Sequence, residues 1–96
     1  MYLNKVREVN DMIKCPCCGN YTIDDSDEVI VDICSVCFWQ YEQGAMARPD
    51  DAIGPNKASL NEAKENYKKY KVSDTRFLGR NLVREPLPEE LPENNK

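Results

Sequence analysis

The chain has 96 residues, a formal net charge of −4, five cysteines and no histidine. At this length it supports one domain, whose apolar core is too small to fold without a cross-link. The lack of histidine excludes His-based triads, histidine general bases and HExxH metal sites. Charged residues interrupt every apolar stretch, so no segment reaches the length needed to cross a bilayer.

The opening Met1-Tyr2-Leu3-Asn4-Lys5 lacks the apolar core of a signal peptide and the cysteine total is odd. Both features point to a reducing, cytoplasmic setting rather than a disulfide scaffold. Tyr2, Val6, Val9 and Ile13 recur at roughly helical spacing, which permits a short amphipathic helix or an irregular lead-in. Residues 1–14 are read as an N-terminal extension.

Two hooks follow, Cys15-Pro16-Cys17-Cys18-Gly19 and Cys34-Ser35-Val36-Cys37, with fifteen residues between the CxxC pairs. A CxxC hook reverses the chain so that both sulfurs point at one place, and two hooks complete a tetrahedron of thiolates around Zn2+. Pro16 fixes φ early in the first turn and Gly19 accepts the positive φ that closes it. The expected ligands are Cys15, Cys18, Cys34 and Cys37, and the zinc is structural, because four thiolates leave no open position for water. Cys17 is left over, either as a thiol shielded within the hook or as a site of redox sensing or metal exchange.

Between the hooks, Tyr21-Thr22-Ile23 and Val29-Ile30-Val31-Asp32-Ile33 are β-prone runs separated by Asp24-Asp25-Ser26-Asp27-Glu28. They are expected to pair as the hairpin that joins the hooks, with Val29, Val31 and Ile33 on one face. Phe38-Trp39-Gln40-Tyr41 continues the second hook as a short strand that lays its aromatics over the metal hairpin. Glu42 to Lys57 reads as a loop ending in the Gly54-Pro55-Asn56 turn.

Ser59-Leu60-Asn61-Glu62 matches a capping box, and Leu60, Ala63, Tyr67 and Tyr70 form one stripe of a helix that runs to about Lys71. Lys64, Lys68 and Lys71 flank that stripe. Ser73-Asp74 caps a second, shorter helix anchored by Phe77, Leu78 and Leu82. The Pro- and Glu-rich run from Glu85 reads as an extended tail, disordered or laid along the body. The expected architecture is therefore a small α+β domain over 15–84: a four-cysteine zinc ribbon, a β-hairpin with two CxxC knuckles, followed by one or two packed helices. An acidic tail occupies 85–96.

Residues CPCCG, CSVCFW and GPNKASLNEAKENYKKYKVSDTRFLGRNLVREP resemble the small bacterial cysteine-rich CPCC proteins from about Cys15 to Pro86. The resemblance implies the same four cysteine ligands and a shared frame that includes Trp39, Asn56, Ser59, Asn66 and Phe77. The acidic run that follows the family's FW pair is here Gln40-Tyr41-Glu42-Gln43.

Charge divides the chain into three. Residues 1–56 hold four basic and ten acidic side chains, residues 57–84 eight and three, and residues 85–96 one and four. This layout admits three classes of function. One is a non-enzymatic module that binds another protein, most concretely an immunity protein whose acidic Asp24–Glu28 and Asp50-Asp51 meet a basic toxin domain. The second is a nucleic-acid-binding ribbon that uses the helix lysines with Arg76, Arg80 and Arg84, against the overall acidity. The third is an enzyme, for which no recognisable catalytic group is assembled. The reading adopted is the first, with no enzymatic activity and no membrane partner.

Overall fold

The computed structural model describes residues 12–24, 30 and 32–95. Strand β1 (Met12–Lys14) pairs antiparallel with β2 (Tyr21–Asp24), Ile13 opposite Ile23, and the register slips between Ile13 and Lys14. That bulge breaks the in–out alternation of β2, so the successive residues Thr22 and Ile23 are both buried. Ile23 enters the core while Thr22 sends its hydroxyl to the cysteine cluster.

This pairing corrects the expected hairpin. Among the described residues, β2 pairs with the strand preceding the first hook. Within that run, Val29 and Val31 lie outside the described residues, and Ile33 forms an isolated bridge with Gln40. Each hook is thus closed by its own flanking chain. Local closure costs less loop entropy than pairing across the whole interval. One link between the two units is side chain to main chain: Asp32 Oδ2 accepts the Asp24 N–H at 2.8 Å. Of the proposed N-terminal helix, Ile13 lies on β1, and Tyr2, Val6 and Val9 lie outside the described residues.

The segment expected to be a loop contains a helix, α1 (Gln43–Ala47), capped by the Glu42 carboxylate on the Gly44 N–H at 2.9 Å. Ala45 is its fully buried residue. The same carboxylate lies against Gly54, at φ +73°, where an added Cβ would come within 2.9 Å of Glu42 Oε2. Asn56 then stands in for a strand: its Oδ1 accepts the Gln40 N–H at 3.1 Å and its Nδ2 donates to the Gln40 carbonyl at 2.9 Å.

Helix α2 (Leu60–Tyr70) has the expected capping box, with Ser59 Oγ accepting the Glu62 N–H at 3.1 Å and Glu62 Oε1 accepting the Ser59 N–H at 3.3 Å. Leu60 and Ala63 are buried and Tyr67 packs against the core, but Tyr70 is 46% exposed. Tyr70 therefore drops from the stripe: the helix stops there, with Lys71 turning left-handed at φ +66°. The core gathers Ile23, Val36, Trp39, Ala45, Leu60 and Ala63 around the cysteines.

The second helix is reduced to a single 3-10 turn, Thr75–Phe77. Asp74 caps it through Oδ1 on the Arg76 N–H at 2.9 Å, whereas Ser73 is buried and gives its own N–H to the Cys37 carbonyl at 2.8 Å. Gly79 and Asn81, at φ +73° and +58°, break any continuation. Of its supposed anchors, Phe77 meets Phe38 edge to face at 4.8 Å, Leu82 is half-buried, and Leu78 is 46% exposed. The tail is laid along the body as two 3-10 turns, Pro88–Glu90 and Pro92–Asn94, the first packed against β2.

Candidate metal centre

The two hooks are copies of one backbone design. In the first, the Cys15 carbonyl accepts the Gly19 N–H at 2.9 Å and the Cys15 N–H donates to the Asn20 carbonyl at 2.8 Å. In the second, the Cys34 carbonyl accepts the Phe38 N–H at 2.9 Å and the Cys34 N–H donates to the Trp39 carbonyl at 2.9 Å. The bridges Lys14–Tyr21 and Ile33–Gln40 close the two units in the same way. Cys17 in the first hook stands where Val36 stands in the second, and both are buried.

The hooks face each other and bring Cys15, Cys18, Cys34 and Cys37 together, with all four sulfurs within 4.8 Å of one another. Between hooks, Cys15 Sγ lies 3.6 Å from Cys37 Sγ, and Cys18 Sγ lies 3.7 Å from Cys34 Sγ. These separations far exceed a disulfide bond of about 2.05 Å. The sulfurs are positioned to hold a metal ion. Cys15, Cys34 and Cys37 are fully buried, and Cys18 is the partly exposed member.

Among the described residues, three polar groups reach the sulfurs. Thr22 Oγ1 lies 2.9 Å from Cys34 Sγ, the Val36 N–H donates to the same sulfur at 3.3 Å, and Asn20 Nδ2 donates to Cys18 Sγ at 3.2 Å. Such interactions stabilise negative charge on sulfur and orient the ligand. Hydrogen bonding with Cys15 lowers the pKa of Cys18, and hydrogen bonding from Cys15 lowers that of Cys34. The same contacts raise Cys15, chiefly through its bond with Cys18, and Cys37, chiefly through its bond with Cys15. A cation that binds all four sulfurs must displace thiol protons, so its hold weakens as pH falls.

The site is tied to the helical half. Asn66 Nδ2 donates to the Ser73 carbonyl at 3.0 Å, and Ser73 donates onward to the Cys37 carbonyl. Tyr67, packed against the core on α2, has its phenol pushed up to about 12, first by burial and then by the charge of Cys18. Each residue of the expected frame thus has a structural role. Asn56 mimics a backbone partner, Ser59 caps α2, Asn66 braces the Ser73 carbonyl, Trp39 fills the core and Phe77 supports the Phe38 ring.

The sulfur donors Thr22 and Asn20 escape a reading of spacing alone, because their role depends on the bulge and on hook closure. The nineteen-residue offset between Cys15 and Cys34 is the one sequence signal that could have revealed the equivalence of the hooks. The acidic side chains proposed as a partner surface divide: 25–28 lie outside the described residues, while Asp50 accepts from Asn61 at 2.8 Å and Asp51 pairs with Arg48 at 2.9 Å.

Among the described residues, no helix is long and apolar enough to cross a membrane. Compared with curated proteins and with solved structures, the chain matches none. The sequence model of the family described as "Cysteine-rich CPCC" matches residues 13–90, which takes in both hooks, α2 and the turn that docks on β2. The chain belongs to the cysteine-rich CPCC family.

Proposed function

We propose that the four cysteines hold a structural Zn2+ and that the protein acts without enzymatic activity, by binding another protein. The observation that carries this reading is the closed set of four sulfurs. A zinc–sulfur distance of about 2.3 Å implies sulfurs about 3.8 Å apart at the tetrahedral angle, close to the 3.6 and 3.7 Å found between hooks. All four positions are filled by thiolate, so the ion organises the fold and has no place for water or substrate.

With the metal committed to structure, function falls to the surface. Half of the eight basic side chains in 57–84 are engaged internally: Lys68 pairs with Glu65, Arg76 with Asp74 and Arg84 with Glu90, and Lys71 lies over the Tyr67 ring. Bound zinc adds −2 to the formal charge, since four thiolates outweigh the ion. An acidic surface of this kind suits a basic protein partner. The most concrete version is a bacterial immunity protein that covers the active site of a toxin.

Elemental analysis of the purified chain tests the metal, with about one zinc per chain expected and iron as the competing thiolate-bound ion. Cross-linking in the native cell, followed by purification of the tagged chain, tests the partner. A basic toxin domain whose activity falls in proportion to bound chain supports the proposal. Ribosomes or RNA that dissociate with salt, and no such protein, overturn it.

A further inference from the structure

The C-terminal chain is fastened to both hooks at once. The Arg84 N–H donates to the Ser35 carbonyl at 3.1 Å, inside the turn between Cys34 and Cys37. The Arg84 guanidinium then grips Glu90 with both prongs, Nη1 to Oε1 and Nη2 to Oε2, each at 2.8 Å. Glu90 Oε1 also accepts the Leu87 N–H at 2.9 Å, and the turn that carries Glu90 packs on β2, the strand leaving the first hook. Residues 84–90 form a strap from the second hook to the strand of the first.

Residues 81–84 also wall a cavity of about 400 Å³, which Ile33, Cys34, Ser35 and Phe38 line from the other side. Cys34 is fully buried, with this wall beside it. Glu90 is itself buried, so its carboxylate depends on Arg84 for compensation. Segments anchored at only a few points open locally, at lower cost than global unfolding.

We propose that the Arg84–Glu90 pair is a latch that sets how fast metal leaves the four-cysteine cluster. With the strap closed, Cys34 is covered and attack on the cluster is confined to the partly exposed Cys18. With it open, the second hook loses its outer support and the Cys34 sulfur is approached as well, through the cavity. The proposal rests on the reading of the cluster as a zinc site.

The full chain is loaded with Zn2+, its metal content is measured, and release to an excess of the chelating dye 4-(2-pyridylazo)resorcinol is followed by absorbance. Glu90→Gln is expected to release zinc about tenfold faster and Arg84→Gln at least as fast, because it strands the Glu90 carboxylate, and the double variant no faster than Arg84→Gln, because all three remove the same ion pair. Lys68→Gln, which breaks an exposed pair on α2, is expected to keep the wild-type rate. Hydrogen exchange at the Arg84 and Glu90 amides should rise in the latch variants while α2 amides hold theirs. In the wild-type protein, where no variant can misfold, the release rate should saturate with dye concentration, because release is completed only when the strap uncovers Cys34. A chain that takes up no zinc defeats the metal reading. A chain that holds zinc but shows linear dye dependence, wild-type release in both single variants, additive effects in the double variant, or equal acceleration by Lys68→Gln overturns the latch alone.

Discussion

Gly19 and Phe38 occupy the same place in their respective hooks, directly after the second cysteine, and both have left-handed backbones, at φ +84° and +69°. Each donates its N–H at 2.9 Å to the carbonyl of the first cysteine. Only glycine adopts this conformation without steric cost, so Phe38 is strained and must be compensated elsewhere. Its ring is the compensation, packed edge to face on Phe77 at 4.8 Å. Phe38→Ala keeps the strain and removes the ring, whereas Phe38→Gly removes both. Thermal unfolding should therefore show Phe38→Ala as the more destabilised by about 1 kcal/mol. Gly19→Ala should cost about as much, purely through φ, since nothing lies within 4 Å of an added Cβ. Equal melting temperatures for the two Phe38 variants would refute the strain argument.

The correspondence of Cys17 with Val36 assigns Cys17 to packing. Cys17→Val should retain the metal and the fold, while replacing Cys15, Cys18, Cys34 or Cys37 with Ser should sharply lower the metal bound per chain. Because metal affinity is part of the folding free energy, chelation should also unfold the wild-type chain. Elemental analysis beside circular dichroism reads both effects. Loss of metal in Cys17→Val to the level of the ligand variants would instead make Cys17 part of the site.

The gathering of Cys15, Cys18, Cys34 and Cys37 was readable because sulfur spacing is local: thiols three positions apart fix a hook whatever surrounds it. Helix α2 was readable for a similar reason, since Ser59 and Glu62 close their box within one turn. Strand pairing was not, because Tyr21–Ile23 carries the same β-prone pattern whether it meets Met12–Lys14 or Val29–Ile33. Closure of the first hook by Cys15 and Asn20 decides between them. Helix α1 was hidden by its length of five residues and by Gly44, its anchor being the Glu42 carboxylate rather than any apolar period. The tail's compact end depends on Arg84 and Glu90 meeting, and composition alone does not reveal such a pair.

On α2, capping and packing separate cleanly. Ser59→Ala should cost about 1 kcal/mol through loss of the cap. Tyr67→Ala should cost about 3 kcal/mol by removing a ring from the core, and Tyr70→Ala should fall within about 0.5 kcal/mol of wild type because its ring is exposed. Chemical denaturation provides the comparison. A Tyr70→Ala loss equal to that of Tyr67→Ala would mean that the apolar face extends past the point where Lys71 turns the chain.

The Glu90 carboxyl sits below its ordinary value of 4.5, chiefly through its hydrogen bond from Arg84. A depressed acid stabilises the fold above its unfolded pKa and loses that contribution as pH falls through the folded one. The stability difference between wild type and Glu90→Gln should thus be level above about pH 5 and shrink as the solution is made more acidic. Denaturation curves collected from about pH 6 down to about pH 3 measure it. A difference that grows toward acid would reverse the sign and show that Glu90 is held protonated in the fold.

The charge layout separates a protein partner from a nucleic acid. Lys64 and Lys68 are exposed on α2, and a phosphate-binding face there would release counterions on binding, giving a steep salt dependence. Lys64→Glu with Lys68→Glu would then reduce the salt slope by about two, one for each phosphate no longer neutralised. The zinc-loaded wild type should show no such retention on RNA or DNA columns near physiological salt, because the acidic remainder of the chain repels phosphate at long range. Glu89→Lys with Glu93→Lys, on the exposed side of the tail, should instead slow association with a basic protein partner, and added salt should shrink the wild-type advantage by screening. Tight nucleic-acid binding abolished by the lysine pair, with association unmoved by the glutamate pair, would transfer function from the acidic surface to α2.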